Sequence, residues 1–216
     1  MLELVRAGGW PMIPLLLLSV VALAIIVERF WSLRRKVVLP PGLGAEVRAW
    51  AAKGRLDPIH IDSLRRNSPL GALLAAVLDV RHRTREEIRE RTEDVGRHQV
   101  HKMERFLNTL GTIAAAGPLL GLFGTVVGMI QMFLGILDQG IGDVNQLAGG
   151  IGKALVCTAT GMIVAIPALA ANRWFRGRIA EVVVDMEKQA MSLLDTLDEG
   201  IAAAPKAPPA RRGEST

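Results

Sequence analysis

Thr125, Thr158 and Thr160 carry hydroxyls inside long apolar stretches, together with Ser19, Thr112 and Gln131, and Lys153 stands beside them. A hydroxyl both donates and accepts a hydrogen bond, so it can pass a proton along a chain, but it does not titrate near neutral pH. A relay through hydrocarbon needs an ionisable group, and the three apolar stretches contain no Asp or Glu. Two readings follow: the chain moves no ions, or another polypeptide brings the acid. A threonine in an apolar helix also bonds back to the preceding turn as ordinary structure. Thr125 and Thr158 stand out because each flanks a face of small residues.

Other chemistry finds little footing. His98 and His101 share a helix face at i, i+3 but have no third ligand nearby, so no metal site is expected. Cys157, the single cysteine, lies inside an apolar run, which rules out a disulfide framework and suits a small packing residue. There is no nucleotide-binding loop, nucleophile motif or paired carboxylates. The sequence therefore predicts neither an enzyme nor a cofactor.

The elements that position these hydroxyls are three apolar runs. Half of the 216 residues are hydrophobic, and they are clustered in 7–27, 106–137 and 153–172, each long enough to cross a bilayer as a helix. At about 100° per residue, Gly117, Gly121, Gly124, Gly128 and Gly135 form a narrow stripe on the second run, opposite Leu122, Val126, Ile130 and Phe133. Gly150, Ala154, Cys157, Gly161, Ala165 and Ala168 make a matching face on the third. Such stripes let backbones approach closely, where packing and weak hydrogen bonds act in place of the hydrophobic effect. Pro118 and Pro167 remove backbone hydrogen bonds, so each is expected to bend its span or open a carbonyl toward a cavity.

The net charge of +5 resides in 28–105, which holds 17 Lys and Arg against 11 Asp and Glu. Bases alternate with acids and lack interleaved aromatics, so nucleic acid is not the expected partner. Arg29, Arg34, Arg35 and Lys36 follow the first span and Arg173, Arg176 and Arg178 the third, whereas Asp138 and Asp143 lie between the second and third. The positive-inside rule then places 1–6 and the 138–152 loop outside, and 28–105 and the C-terminus in the cytoplasm. Ala22-Leu23-Ala24 has signal-peptidase spacing, but the apolar run continues to Val27, as in an uncleaved anchor.

Between the spans, Ala45–Lys53 and Ile59–Arg66 read as short helices divided by Gly54 and Asp57-Pro58, and Pro69 opens another. A charged helix over 84–105 is expected to run straight into the second span, with Arg85, Arg89 and Glu93 spaced for ion pairs. Ile179, Val182, Val183, Met186, Ala190, Leu193, Leu194, Leu197 and Ile201 keep a helical period through 173–201. This stripe extends the third span and needs a cover from the 28–105 helices. Gly200 is expected to end the helix, and 202–216 reads as a disordered proline-rich tail.

Two segments resemble one family. GPLLGLFGTVVGM at Gly117–Met129 and GIGKALVCTATGMIVAIPALAANR at Gly150–Arg173 are similar to the signature of the ExbB and TolQ proton-channel subunits, distant relatives of the flagellar stator protein MotA. AGGWPMIPLLLLSVVALAIIVERFWSLRR at the start resembles the same group. The resemblance implies an all-α membrane protein of the bacterial inner membrane, forming a homopentamer surrounded by membrane lipid. The ring would enclose the single spans of two ExbD-like or TolR-like subunits, each carrying an aspartate, which matches the missing acid. In that picture Thr125 and Thr158 line the pore, with Lys153 and Thr160 as candidates for its mouth. Proton flow would drive work on a TonB-like or Tol-Pal partner. Many relatives carry glutamate in GIAEAL where this chain has Lys153 in GIGKAL, and some have uncharged polar residues there, so glutamine is expected to be tolerated. The alternative is a structural scaffold that conducts nothing. A secondary transporter would need inverted repeats, which three unequal spans do not offer.

Overall fold

The computed structural model describes residues 9–53, 57–139 and 144–203. Eight helices appear among them: α1 Met12–Ser32, α2 Arg35–Val38, α3 Leu43–Ala52, α4 Pro58–Asn67, α5 Pro69–Asp79, α6 Arg85–Met103, α7 Leu107–Gln139 and α8 Val144–Ala203. The described residues contain no strand. Three helices, α1, α7 and α8, are long and apolar enough to cross a membrane, and the protein is a multi-pass membrane protein. The expected N-terminal segment 1–6, Gly54, Asp143 and nearly all of the 202–216 tail lie outside the described residues.

The chain divides into two compact units. The first consists of the described residues up to Arg34 with His101–Glu181. Here α1 starts behind Pro11, whose fixed φ and missing N–H suit a helix start. Met12 and Leu15 pack on Cys157 of α8, flanked by Leu120 of α7 and Val156. Trp10 meets Phe123 of α7 edge to face at 5.9 Å. Leu16, Leu23, Leu122, Ile130, Phe133 and Ile163 point outward and stay exposed. Large apolar side chains outside and small ones inside are what a helix bundle in lipid requires.

Both long helices run through their prolines, Pro118 in α7 and Pro167 in α8, without being interrupted. The expected helix across 84–105 does not run into the second span. It ends at Met103, and Glu104, Arg105 and Phe106 form a turn before α7. Phe106 has φ 64°, a left-handed conformation that costs a bulky residue free energy. Two guanidiniums hold it: Arg29 lies 5.7 Å and Arg105 4.6 Å from its ring centre. Arg29, only 5% exposed, also donates through Nη1 to the Met103 carbonyl at 3.1 Å, capping the end of α6. Local propensity gave no sign of this break, because Arg29 that fixes it comes from another helix.

The second unit consists of Arg35–Val100 with the described residues from Val182 onward. Its centre is α5, in which every residue from Leu70 to Leu78 is buried. A helix apolar all round belongs in a core. Ser68 ends α4 and begins α5, its hydroxyl accepting from the Gly71 amide at 3.0 Å. Gly71 is needed there, since a Cβ would collide with the Leu64 carbonyl. Val182, Met186, Ala190, Leu193 and Leu194 of α8 are buried, so the apolar stripe is covered. Gln189 of α8 accepts from Arg48 of α3 at 2.8 Å.

Two details differ from expectation in this unit. Arg89 pairs with Glu93 along α6 at 3.2 Å, but Arg85 reaches across to Asp195 at 2.9 Å and to Asp198 on α8. These two carboxylates, first by the Asp195 hydrogen bond, push the Arg85 pKa up. Gly200 does not end α8, which continues to Ala203. In the first unit, α7 extends to Gln139 and α8 begins at Val144, inside the 138–152 stretch expected as a loop.

Candidate functional site: the seam between α7 and α8

The small-residue stripes of α7 and α8 face one another. A Cβ placed on Gly117 would stand 3.0 Å from the Gly161 carbonyl oxygen, and one on Gly121 would stand 2.9 Å from the Thr158 Cα. At Gly124 it would meet the Cys157 Cβ at 2.8 Å, and at Gly128 the Ala154 Cβ at 3.1 Å. From the other side, a Cβ on Gly161 would come within 2.5 Å of the Gly117 oxygen. Real Cβ atoms do not approach within 3.0 Å and rarely come as close as 3.1 Å, so the two backbones touch because side chains are missing. Gly135, expected on the same contact stripe, does not take part: it has open space around it, as does Gly152, because the close glycine contacts of α7 with α8 run only from Gly117 to Gly128.

This close approach brings two backbone carbonyls and two hydroxyls into one cluster. The Thr125 hydroxyl bonds to the Gly121 carbonyl one turn back, at 3.2 Å, and across the seam to the Ala154 carbonyl, also at 3.2 Å. The Thr158 hydroxyl bonds to the same Gly121 carbonyl at 3.1 Å. The two hydroxyl oxygens are themselves in hydrogen-bond contact. Two protons are thus shared among four oxygens, and more than one pattern of donation satisfies them. Both threonines are half-buried. The arrangement can pass a hydrogen bond from one helix to the other, and it supplies lone pairs but no charge.

The other polar residues are not in this cluster. Thr160 bonds to the Val156 carbonyl of its own helix at 2.8 Å, and Thr112 to the Asn108 carbonyl at 3.0 Å, the local back-bonding of threonine in a helix. Lys153 and Gln131 are exposed on the single chain. Pairing of Lys153 with Asp138 or Asp143 falls on side chains outside the described residues. His98 and His101 are both exposed, and among the described residues no three His, Cys, Asp or Glu side chains gather as a metal site would require.

A second polar cluster, which sequence reasoning missed, lies where the same two helices leave their apolar stretches. Asn172, 7% exposed, turns its amide onto the Leu107 carbonyl and accepts from Arg176 Nε at 3.2 Å. Arg176 also donates to Asn108 at 2.8 Å and lies 3.8 Å from Glu104. Gly111 lies against this amide, where a Cβ would make an ordinary contact with the Asn172 nitrogen at 3.4 Å. Asn108 is an amide inside an otherwise uncharged apolar run, and that was the available signal.

The model of the MotA/TolQ/ExbB proton channel family matches residues 65–188, which includes α7, the seam and most of α8. The chain belongs to this family. An ExbB-like biopolymer transport protein of Synechocystis is 36% identical over 187 residues, covering 85% of this chain and 70% of that protein. An ExbB biopolymer transport protein of Vibrio cholerae is 31% identical over 166 residues, 73% of this chain and 71% of its own. That of Salmonella typhimurium is 33% identical over 138 residues, 62% of this chain and 54% of its own. The matched region of this proton channel family member carries both threonines and every glycine of the seam.

Proposed function

We propose that the chain is a proton-channel subunit of an inner-membrane energy converter, in which five copies form a ring around two ExbD-like or TolR-like spans. Each partner span supplies an aspartate, and the Thr125–Thr158 hydroxyls supply the wall across which that carboxylate exchanges its proton. The observation that carries this reading is the pair itself: two hydroxyls from different helices, half-buried and hydrogen-bonded together, in a family of proton channels. Proton flow would then turn or shift the inner spans, and the work would serve biopolymer transport, as the relatives' names suggest for them, through a TonB-like client or a Tol-Pal-type envelope system. The charge pattern supports a periplasmic N-terminus and a cytoplasmic C-terminus. Lys153 and Thr160 belong to the mouth of this pore, and Pro118 and Pro167 bend its walls.

The test is proton flux in vesicles holding the chain with and without its acidic partner. Thr125→Val and Thr158→Val keep the shape of the side chain and delete the hydroxyl, and each should lower partner-dependent flux by about a hundredfold, the low end of the range for loss of a proton-transfer group, with assembly unchanged. Wild-type flux in both variants would remove the pore role.

A non-conducting scaffold is the second reading, and one observation favours it: each threonine hydroxyl also bonds to a backbone carbonyl, as a purely structural residue would. A correctly assembled complex that passes no protons would decide for the scaffold.

A further inference from the structure

The exposed face of α1 ends in a cluster that the channel chemistry does not use. Phe30 stacks on Trp174 of α8, with ring centres 6.0 Å apart and planes 23° from parallel. The Arg34 guanidinium lies 4.6 Å from the Trp31 ring centre and 5.9 Å from that of Phe30. All three rings are more than half exposed: Phe30 55%, Trp31 64%, Trp174 55%. One turn along from Trp174, Gly177 has open space where a side chain would stand. Among the described residues Arg34 meets rings and no carboxylate; the nearest acid in sequence, Glu28, is taken by Arg29 on the other side of α1.

The same face of α1 carries Leu16, Val20, Leu23, Val27 and Phe30, all exposed. These positions fall within about 80° of one another around the helix. Val20 and Phe30 are about 15 Å apart along the axis, half of the bilayer's hydrocarbon thickness of about 30 Å, and Arg34 follows just past the end of the helix at Ser32. An occupant must therefore have an anionic group at one end and roughly one acyl chain's length of hydrocarbon behind it. A free phosphate would make no use of the apolar face. A protein surface would need a carboxylate at the bilayer boundary and apolar side chains over the whole length.

The geometry points to a binding site for one anionic phospholipid, with the phosphate on Arg34 beside Gly177, the glycerol region against Trp31 and Trp174, and an acyl chain along Phe30, Val27 and Leu23. Interfacial indoles and a guanidinium are the side chains suited to that boundary. The site is independent of proton conduction.

The full-length protein, assembled as it is isolated, is equilibrated with vesicles of equal phosphatidylglycerol and phosphatidylcholine. Native mass spectrometry then counts the lipids it retains. Wild type should keep phosphatidylglycerol over phosphatidylcholine by about fivefold, the effect expected of one basic side chain near an anionic surface. Arg34→Gln should bring the ratio near one, Arg34→Lys should keep most of it, and Trp174→Ala should lower the retention of both lipids. Lys36→Gln, two residues away but off the stacked rings, should leave the preference unchanged. Equal retention in wild type overturns the proposal, as does a wild-type ratio in Arg34→Gln or an equal loss in Lys36→Gln, which would mean general surface charge. A change in assembly mass in Arg34→Gln with the lipid ratio intact would assign the face to a second copy of the chain and overturn it too.

Discussion

The seam between α7 and α8 and the core around α5 solve the problem of burial in opposite ways. Around α5, nine consecutive residues are buried and the stabilisation comes from taking large apolar side chains out of water. Along the seam the large side chains point away and the backbones meet through Gly117, Gly121 and Gly161. Lipid is as apolar as leucine, so burying leucine there gains little, while close packing and cross-helix hydrogen bonds still contribute. The contrast also separates where chemistry can occur. Only a seam with side chains removed leaves two carbonyls and two hydroxyls within reach of each other.

If this contrast is right, adding bulk should hurt the seam most and removing bulk should hurt the core most. Gly161→Val forces a side chain onto the Gly117 carbonyl and should abolish assembly of the proposed ring, measured on native gels. Gly135→Val, made where nothing lies within 4 Å, should assemble normally. A tolerated Gly161→Val would break the comparison. Next in size, Leu74→Ala removes a fully buried side chain from α5 and should cost about 2–5 kcal/mol. Limited proteolysis of the soluble segments should accelerate while the spans stay protected.

A smaller effect concerns the start of α6. The Thr84 amide and hydroxyl both donate to Glu87 at 3.0 Å, which holds its carboxyl below the usual carboxylate range. Because the folded pKa is lowered, the stabilisation is complete above the unfolded pKa and is lost as pH falls through the folded value. Glu87→Gln should therefore melt slightly below wild type at neutral pH, and the gap should close on acidification through the carboxylate range. A gap that widens in acid would reverse the sign. Smallest of all, Lys153→Gln should leave partner-dependent proton flux at wild-type level, because Lys153 is exposed and the hydroxyl cluster holds no charge for it to balance. Abolished flux would move the working site from the threonine pair to the lysine.

Much of the seam was legible before any coordinates, because a glycine stripe at helical period can be read from spacing and the threonines flank it. The break at Phe106 was not legible: the one breaker in 84–105 is Gly96, which lies inside α6 and not at its end, and the turn exists because Arg29 binds the Met103 carbonyl and the Phe106 ring. Arg85 was misread for a related reason. Its four-residue spacing from Arg89 and Glu93 suggested a local pairing, and the distant Asp195 and Asp198 are the carboxylates it meets. Asn172 marked only the end of an apolar run until its amide was placed on the Leu107 carbonyl.

The sequence by itself determined which stretches are helices able to cross a membrane and which face of each can tolerate a neighbour, because hydropathy and the 3.6-residue period are properties of one helix alone. The tertiary structure decided which face meets which. It set Gly121 against Thr158 and so brought the Thr125 hydroxyl to the Ala154 carbonyl, a contact between residues 29 positions apart in the chain. Hydrogen bonds act over about 3 Å, and only the packing of two particular helices fixes distances on that scale.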